Sequence, residues 1–185
     1  MEKRIIALIP AKYNSKSIKK KNFQKINKKT LVEIAIDQSK RVKLIDQIFL
    51  NSENIKIKKI AEQKKIKFFL RDQNLSKFNT RSEFVISDFI KKQKLNDDDI
   101  IVYLQPTSPF RTAKHINESL KKFMQKPNLS LISVKKNNLT IFKSVKKIST
   151  FMKPIFSEKL LSKNRQSFPD TFLPNGAIYI FKIKE

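Results

Sequence analysis

Cysteine is absent from this 185-residue chain, which excludes a disulfide framework, a thiolate zinc site and a cysteine nucleophile. Glycine is nearly absent too, Gly176 being the only one. Loops that usually rely on glycine must here use Asn, Ser, Lys and Pro, with asparagine the next best residue at positive φ. The single glycine is therefore a position to examine closely. The only histidine, His115, lies near the start of a predicted helix without a partner motif, and reads as a surface or capping residue. No run approaches the roughly 20 apolar residues of a membrane span, and the apolar stretch after Met1-Glu2-Lys3-Arg4 is too short for a secretory signal. A soluble cytoplasmic chain with no membrane partner is expected.

Acidic residues are scarce, 16 against 41 lysines and arginines, for a formal net charge of +25. Such a balance ordinarily suggests a nucleic acid or anionic surface as partner. The lysines, however, are scattered over almost every segment, arginines are few, and Asn, Ile and Phe are abundant, which is the pattern that A- and T-rich codons produce. With no RRM, KH or zinc pattern present, no specific nucleic acid is expected as partner. The charge would still attract an anionic substrate.

The length fits one domain with a proper core. Its order is β then α, repeated. Ile5 to Ile9 reads as a buried strand, Thr30 to Arg41 as a helix capped by Thr30, and Gln47 to Leu50 as a second strand. Asn54 to Lys65 looks helical, Lys67 to Leu70 extended, Asn79 to Lys92 helical and Ile100 to Leu104 extended. His115 to Met124 and Leu129 to Val134 continue as helix and strand, and Pro174 to Lys182 closes the chain as a strong strand. Between Lys135 and Phe172 the period is lost, which reads as an arm with short strands. Glu33, Asp37 and Asp88 fall on predicted helices as solvated or paired charges, and Asp97, Asp98 and Asp99 precede a strand at the edge opposite the polar loops.

Three segments carry chemistry. The first strand runs into Ile9 to Asn22, where lysines at 12, 16, 20 and 21 join Asn14, Ser15 and Asn22. At the carboxyl end of a strand in an open α/β sheet, such a loop supplies cations and donors suited to a polyphosphate. The strand ending at Leu104 runs into Gln105-Pro106-Thr107-Ser108-Pro109-Phe110-Arg111, which brings Gln105, Thr107, Ser108 and Arg111 to the same edge. The third segment is Arg165-Gln166 followed by Pro174-Asn175-Gly176-Ala177-Ile178-Tyr179-Ile180.

In that order and spacing the three segments resemble the acylneuraminate cytidylyltransferase family, the CMP-sialic acid synthetases and their relatives for pseudaminic and legionaminic acids. The Lys21-Asn22 pair separates this branch from the CMP-Kdo synthetases. The resemblance implies an α/β fold with a doubly wound, mostly parallel sheet of the nucleotide-diphospho-sugar transferase type. It implies a single domain over 1–185, with a small dimerisation arm at approximately 135–173 and a homodimer as the assembly. The implied reaction transfers CMP from CTP to a nonulosonic acid, a sialic acid-like sugar, and releases pyrophosphate. Alternatives are a shortened homologue that binds nucleotide without turnover, and a basic nucleic-acid-binding protein.

By the same resemblance, Lys12 stands where the family usually has Arg and would contact the triphosphate; with Lys21 it is the expected catalytic residue, Lys21 neutralising the α-phosphate. Asn14, Ser15, Lys16, Asn22 and Ser52 would also meet the nucleotide, Ser52 because Asn51-Ser52-Glu53 replaces the family's Ser-Thr-Asp. Gln105, Lys143, Arg165, Asn175 and Tyr179 would hold the sugar, Lys143 and Arg165 from a neighbouring subunit, while Ser108 and Arg111 order their loop. Tyr13-Asn14 and Ser17 occupy positions where the family carries glycine, which forecasts a β-carbon or a positive φ at Ser17. Mg²⁺ is implied as cofactor. The family's Asp-x-Asp ligands fall beyond Glu185, so the chain is expected to be shortened and no metal ligand is assigned within it.

Overall fold

The computed structural model describes residues 3–15 and 17–184, and only the backbone of Leu139. Its elements begin with β1 (Ile5–Pro10), a small hairpin of β2 (Lys25–Ile26) and β3 (Lys29–Thr30), α1 (Leu31–Lys40) and β4 (Gln47–Ser52). There follow α2 (Lys58–Gln63), β5 (Lys67–Leu70), α3 (Ser82–Lys92), β6 (Ile100–Tyr103), α4 (Ala113–Gln125) and β7 (Leu131–Lys136). The last are β8 (Val145–Ile148), β9 (Phe151–Pro154) and β10 (Phe172–Lys182).

Six of these strands form one sheet in the order β5-β4-β1-β6-β10-β7. β1 pairs in parallel with β4 and β6, β4 pairs in parallel with β5, and β10 runs antiparallel to β6. The fold is thus α/β with a mostly parallel, doubly wound sheet. The chain builds outward from β1 through β4 to β5, then crosses back to place β6 on the other side of β1. A strand order that reverses at β1 opens a crevice at the carboxyl ends of β1 and β6, where ligands bind in such sheets.

Strand alternation sets the two layers. Ala7, Ile9, Leu50, Val102, Ile178 and Ile180 face α1, α2 and α4, through Val32, Ile36, Ala61, Ile116, Leu120 and Phe123. Ile6, Leu8, Phe49, Phe69, Ile101 and Tyr103 face the other way, against Phe89 of α3. Parallel strands buried on both faces read as continuous apolar runs, which is why Ile5 to Ile9 and Ile100 to Leu104 were legible.

Local signals set the helix ends. Thr30 caps α1 in a capping box with Glu33, and Thr112 caps α4 in one with His115, which gives the histidine a structural task. The helix expected from Asn54 opens instead with a tight turn over Ile55–Ile57, because the Asn54 side chain accepts the Lys56 N–H and holds the chain in a narrower helix. Likewise α3 starts at Ser82 rather than Asn79, since Thr80 N–H bonds the Lys77 carbonyl in a separate turn. α2 and α3 end in left-handed Lys65 (φ 51°) and Lys94 (φ 47°), where glycine is usual. At the amino edge, buried Asp99 pairs with Arg4, so the acidic turn serves the frame.

Contacts divide the chain into two compact units, one reaching Ser133 and resuming at Gly176, the other Val134–Asn175. The second holds the β8–β9 hairpin and a small aromatic core in which Phe142 stacks on Phe168 at 4.9 Å and tilts toward Phe156 at 5.9 Å.

Candidate active site

At the carboxyl end of β1 the chain turns through Lys12 to Phe23, and polar bonds hold this loop from both sides. Asn22, 8% exposed, donates its Nδ2 to the Lys12 carbonyl at 2.9 Å, while the Glu53 carboxylate accepts the Tyr13 N–H at 2.8 Å. Lys20 is left-handed (φ 51°) just before the single-turn helix Lys21–Phe23, and the backbone angle expected at Ser17 depends on Lys16, which lies outside the described residues. The Lys20 ammonium sits 5.0 Å from the Tyr13 ring centre, and its hydrogen bond lowers the Tyr13 phenol from its ordinary value.

This loop and the one after β6 enclose a cavity of about 210 Å³, lined by Lys12, Ser15, Lys21, Asn22, Gln105 and Thr107. It suits a phosphate group better than a whole nucleotide. Beside it, Tyr13, Asn14, Glu53, Gln73 and Lys77 line a second cavity of about 570 Å³. A third, of about 990 Å³, is lined by Gln105, Ser82, Tyr103 and Tyr179 together with the apolar Ile86, Ile90 and Phe181. Burial pushes the Tyr103 phenol up, and its ring lies 6.3 Å from that of Tyr179.

The expected residues are therefore distributed. Lys12, Ser15, Lys21, Asn22 and Gln105 share the small cavity, Asn14 lines the second, and Gln105 joins Tyr179 in the third. Lys12 also donates its Nζ to the Lys77 carbonyl at 3.1 Å. Ser52 does not face the crevice. It is fully buried, and its hydroxyl accepts the Asn54 N–H across the turn after β4. Among the described residues, Ser108 takes part in its loop through backbone bonds only, its N–H donating to Gln105 and its carbonyl accepting from Arg111, while the Arg111 Nη1 donates to the carbonyls of Gln105 at 2.9 Å and Ala177 at 2.7 Å. Burial pushes the Arg111 guanidinium down to about 10, so it remains charged at neutral pH. Lys143, Arg165 and Asn175 belong to the second unit, where Arg165 Nη2 donates to Asn138 Oδ1 at 2.7 Å. Lys16 lies outside the described residues.

The sequence reading passed over Glu53 and Arg71. Arg71 Nη2 donates to Glu53 Oε2 at 2.7 Å, both side chains are buried, and Gln73 Nε2 reaches the Glu53 carbonyl at 2.9 Å. Glu53 thereby ties together the loops after β1, β4 and β5. The available signal was an arginine directly after a predicted strand, in a chain where lysine greatly outnumbers arginine.

The cytidylyltransferase family model matches residues 6–169. The chain belongs to the cytidylyltransferase family. Among relatives of this family member, the N-acylneuraminate cytidylyltransferase of Escherichia coli O18:K1:H7 is 29% identical over 97% of this chain and 42% of its own length. The post-translational flagellin modification protein B of Campylobacter coli is 27% identical over 96% of this chain and 77% of its own. The chain thus spans less than half the length of the first relative. Among solved structures, a CMP:2-keto-3-deoxy-manno-octonic acid synthetase complexed with CTP superposes with a TM-score of 0.72 at 14% identity, over 97% of this chain and 74% of that one. At that identity the likeness is one of fold.

Mg²⁺ is the cofactor that the family resemblance implies. Among the described residues, no three His, Asp or Glu side chains form a group able to hold a metal ion. Glu53, at the crevice, is taken by Arg71 and the Tyr13 N–H. These residues do not fit a protein-built Mg²⁺ cage, and cations of the chain itself are what the crevice offers a polyphosphate.

Proposed function

We propose that this family member transfers CMP from CTP to a hydroxyl of a nonulosonic acid, a sialic acid-like sugar. The observation that carries the reading is Gln105, which lines both the small cavity holding Lys12 and Lys21 and the large cavity holding Tyr103 and Tyr179. A triphosphate in the first and an acceptor in the second would meet at that residue. The acceptor oxygen attacks the α-phosphorus of CTP in line, an O–P bond forms, the bridging P–O bond breaks, pyrophosphate leaves and the hydroxyl proton passes to water. Such a step asks the protein for positioning and for cations around developing phosphate charge. Lys21 supplies that charge at the α-phosphate and Lys12 at the outer phosphates. The names of the relatives that span the chain support an acidic sugar as acceptor. In this proposal the working form is a homodimer, with the second unit of one copy serving its neighbour.

Pyrophosphate release that requires both CTP and a nonulosonic acid, and that falls by about a hundredfold or more in Lys21→Ala, is the expected result. A folded sample that releases none with sialic, pseudaminic or legionaminic acid overturns the reading. Calorimetric CTP binding without product would then identify a nucleotide-binding homologue. RNA binding that falls steeply with salt and ignores CTP would identify a nucleic-acid-binding protein.

A further inference from the structure

Gly176 is the only glycine in the chain, and it adopts φ 74°. A positive φ does not by itself explain why glycine stands there. Lys20, Asn27, Lys28, Lys65, Lys94 and Ser149 all take φ between 47° and 68°, so elsewhere this chain meets left-handed backbone with ordinary residues. Position 176 has the largest positive φ among the described residues, which strains any side chain, and it is further distinguished by the space beside it. A β-carbon built there would stand 3.0 Å from Oε1 of Gln105 and 3.9 Å from its Cδ.

The surrounding backbone has little freedom to relieve that approach. The buried Arg111 guanidinium bonds the carbonyl of Gln105 and the carbonyl of Ala177, the residue after Gly176. One residue further on, the Ile178 N–H is held by Ser133 Oγ at 2.8 Å, and Tyr179 pairs with Tyr103 in the ladder between β10 and β6. Both backbones are fastened close to the contact. The group able to yield is the Gln105 amide, the one that lines both the small basic cavity and the large amphipathic one.

We propose that Gly176 is a positioning residue, kept without a side chain so that the Gln105 amide can stand on the wall shared by the two cavities and orient the acceptor there. The role in orienting the acceptor rests on the CTP-dependent transfer proposed above; the coupling between Gly176 and Gln105 does not. A β-carbon at 176 displaces the amide along that wall by a few tenths of an ångström, while Lys12 and Lys21 are not among the atoms it meets, so acceptor use suffers more than CTP use.

The test compares Gly176→Ala, Gln105→Ala and the double variant. In urea unfolding, Gly176→Ala is expected to lower the midpoint clearly in the parent and much less once Gln105 is truncated, since contacting residues are non-additive. The Gln105 side-chain NH₂ resonances should move in Gly176→Ala. In steady state, Gly176→Ala should raise the acceptor KM about tenfold while kcat and the CTP KM stay within about twofold, and in the Gln105→Ala background the added penalty should shrink to about twofold. Equal losses in both backgrounds with unmoved amide resonances would mean backbone strain alone and overturn the proposal. If the parent releases no pyrophosphate with any acceptor, the transfer reading fails while the urea cycle and the resonances still decide the coupling. Should Gly176→Ala not fold, Gly176→Asn carries the same β-carbon on a residue better tolerated at positive φ, and is read the same way.

Discussion

The Glu53 carboxylate and the Arg71 guanidinium meet at 2.7 Å with side chains only 7% and 4% exposed, and the same carboxylate accepts the Tyr13 N–H of the loop after β1. A buried pair of this kind adds little net stability once its desolvation is counted, yet removing one partner strands the other charge. Arg71→Met is therefore expected to destabilise by about 3–5 kcal/mol in urea unfolding. Glu53→Gln added to it should recover more than half of that loss, because the stranded charge is gone and an amide oxygen can still accept the Tyr13 N–H. A double variant no more stable than Arg71→Met would show that the pair is not the source of the loss.

The same carboxylate predicts an acid limit. Burial works against the charge on Glu53, but the bonds from Arg71 and from backbone N–H groups outweigh it and hold the carboxyl below its ordinary value; Asp99, bonded by Arg4 and Asn96, behaves alike. Unfolded, these groups titrate at about 4.3 and 3.9. With the folded values depressed, the native state binds fewer protons, so the contribution is fully present above about pH 5, begins to fall near the unfolded values and is lost as pH falls through the folded ones. The urea midpoint should hold from pH 7 to 5 and drop steeply below 4, and Glu53→Gln should make that drop shallower.

Much of this frame was legible because its signals are local. The strand Lys67–Leu70 and the Thr30 cap of α1 rest on apolar periodicity and on a hydroxyl that meets its own helix three residues on. The Glu53 and Arg71 pair is a meeting of strands across 18 residues of sequence, which no local pattern encodes. Strand position alone did not show that Ser52, expected to meet the nucleotide, is fully buried with its hydroxyl accepting the Asn54 N–H in the turn after β4. The ends of α2 and α3 were legible from the apolar period alone, expected at Lys65 and Lys92 and found at Gln63 and Lys92, although the usual stop signal is glycine and this chain ends both helices without it.

Those two ends offer a gain in stability. Ile66 N–H bonds the Ala61 carbonyl and Leu95 N–H the Ile90 carbonyl, closing the wide turn that follows a left-handed C-terminal residue. An L-residue with a β-carbon costs about 1–2 kcal/mol there, and glycine gives back about 0.4–1 kcal/mol through the greater freedom of the unfolded chain. Lys65→Gly and Lys94→Gly should each stabilise by about 0.5–1 kcal/mol and together raise Tm by about 2–8 °C in a chain of this size. Calorimetry showing an unchanged or lowered Tm for both would contradict the strain assigned to them.

Phe89 is the single-residue test of the α3 layer. It is fully buried, with its ring 4.9 Å from that of Phe49 and 5.1 Å from that of Phe69, both edge on. Phe89→Ala removes both ring contacts and leaves a cavity, so a loss of about 3–5 kcal/mol in urea unfolding is expected. Phe89→Leu, which refills most of the volume, should cost clearly less.

At the crevice the two lysines make separable predictions for CTP. Lys12 and Lys21 line the same small cavity, but Lys12 also reaches the Lys77 carbonyl and is positioned by the loop that Asn22 and Glu53 brace. An ammonium is a point charge, whereas a guanidinium can grip two phosphate oxygens at once. Lys12→Arg should therefore tighten CTP binding by about threefold to tenfold, and Lys21→Ala should weaken it by about tenfold, as for a lost bond to a charged group. Because phosphate contacts at a solvent-open site are screened, raising salt from 50 to 300 mM should weaken CTP binding to the parent more than to Lys21→Ala. Titration calorimetry at the two salt concentrations reads all three. Equal salt dependence in parent and variant would place Lys21 away from the phosphates, and with it the reaction centre proposed for this crevice.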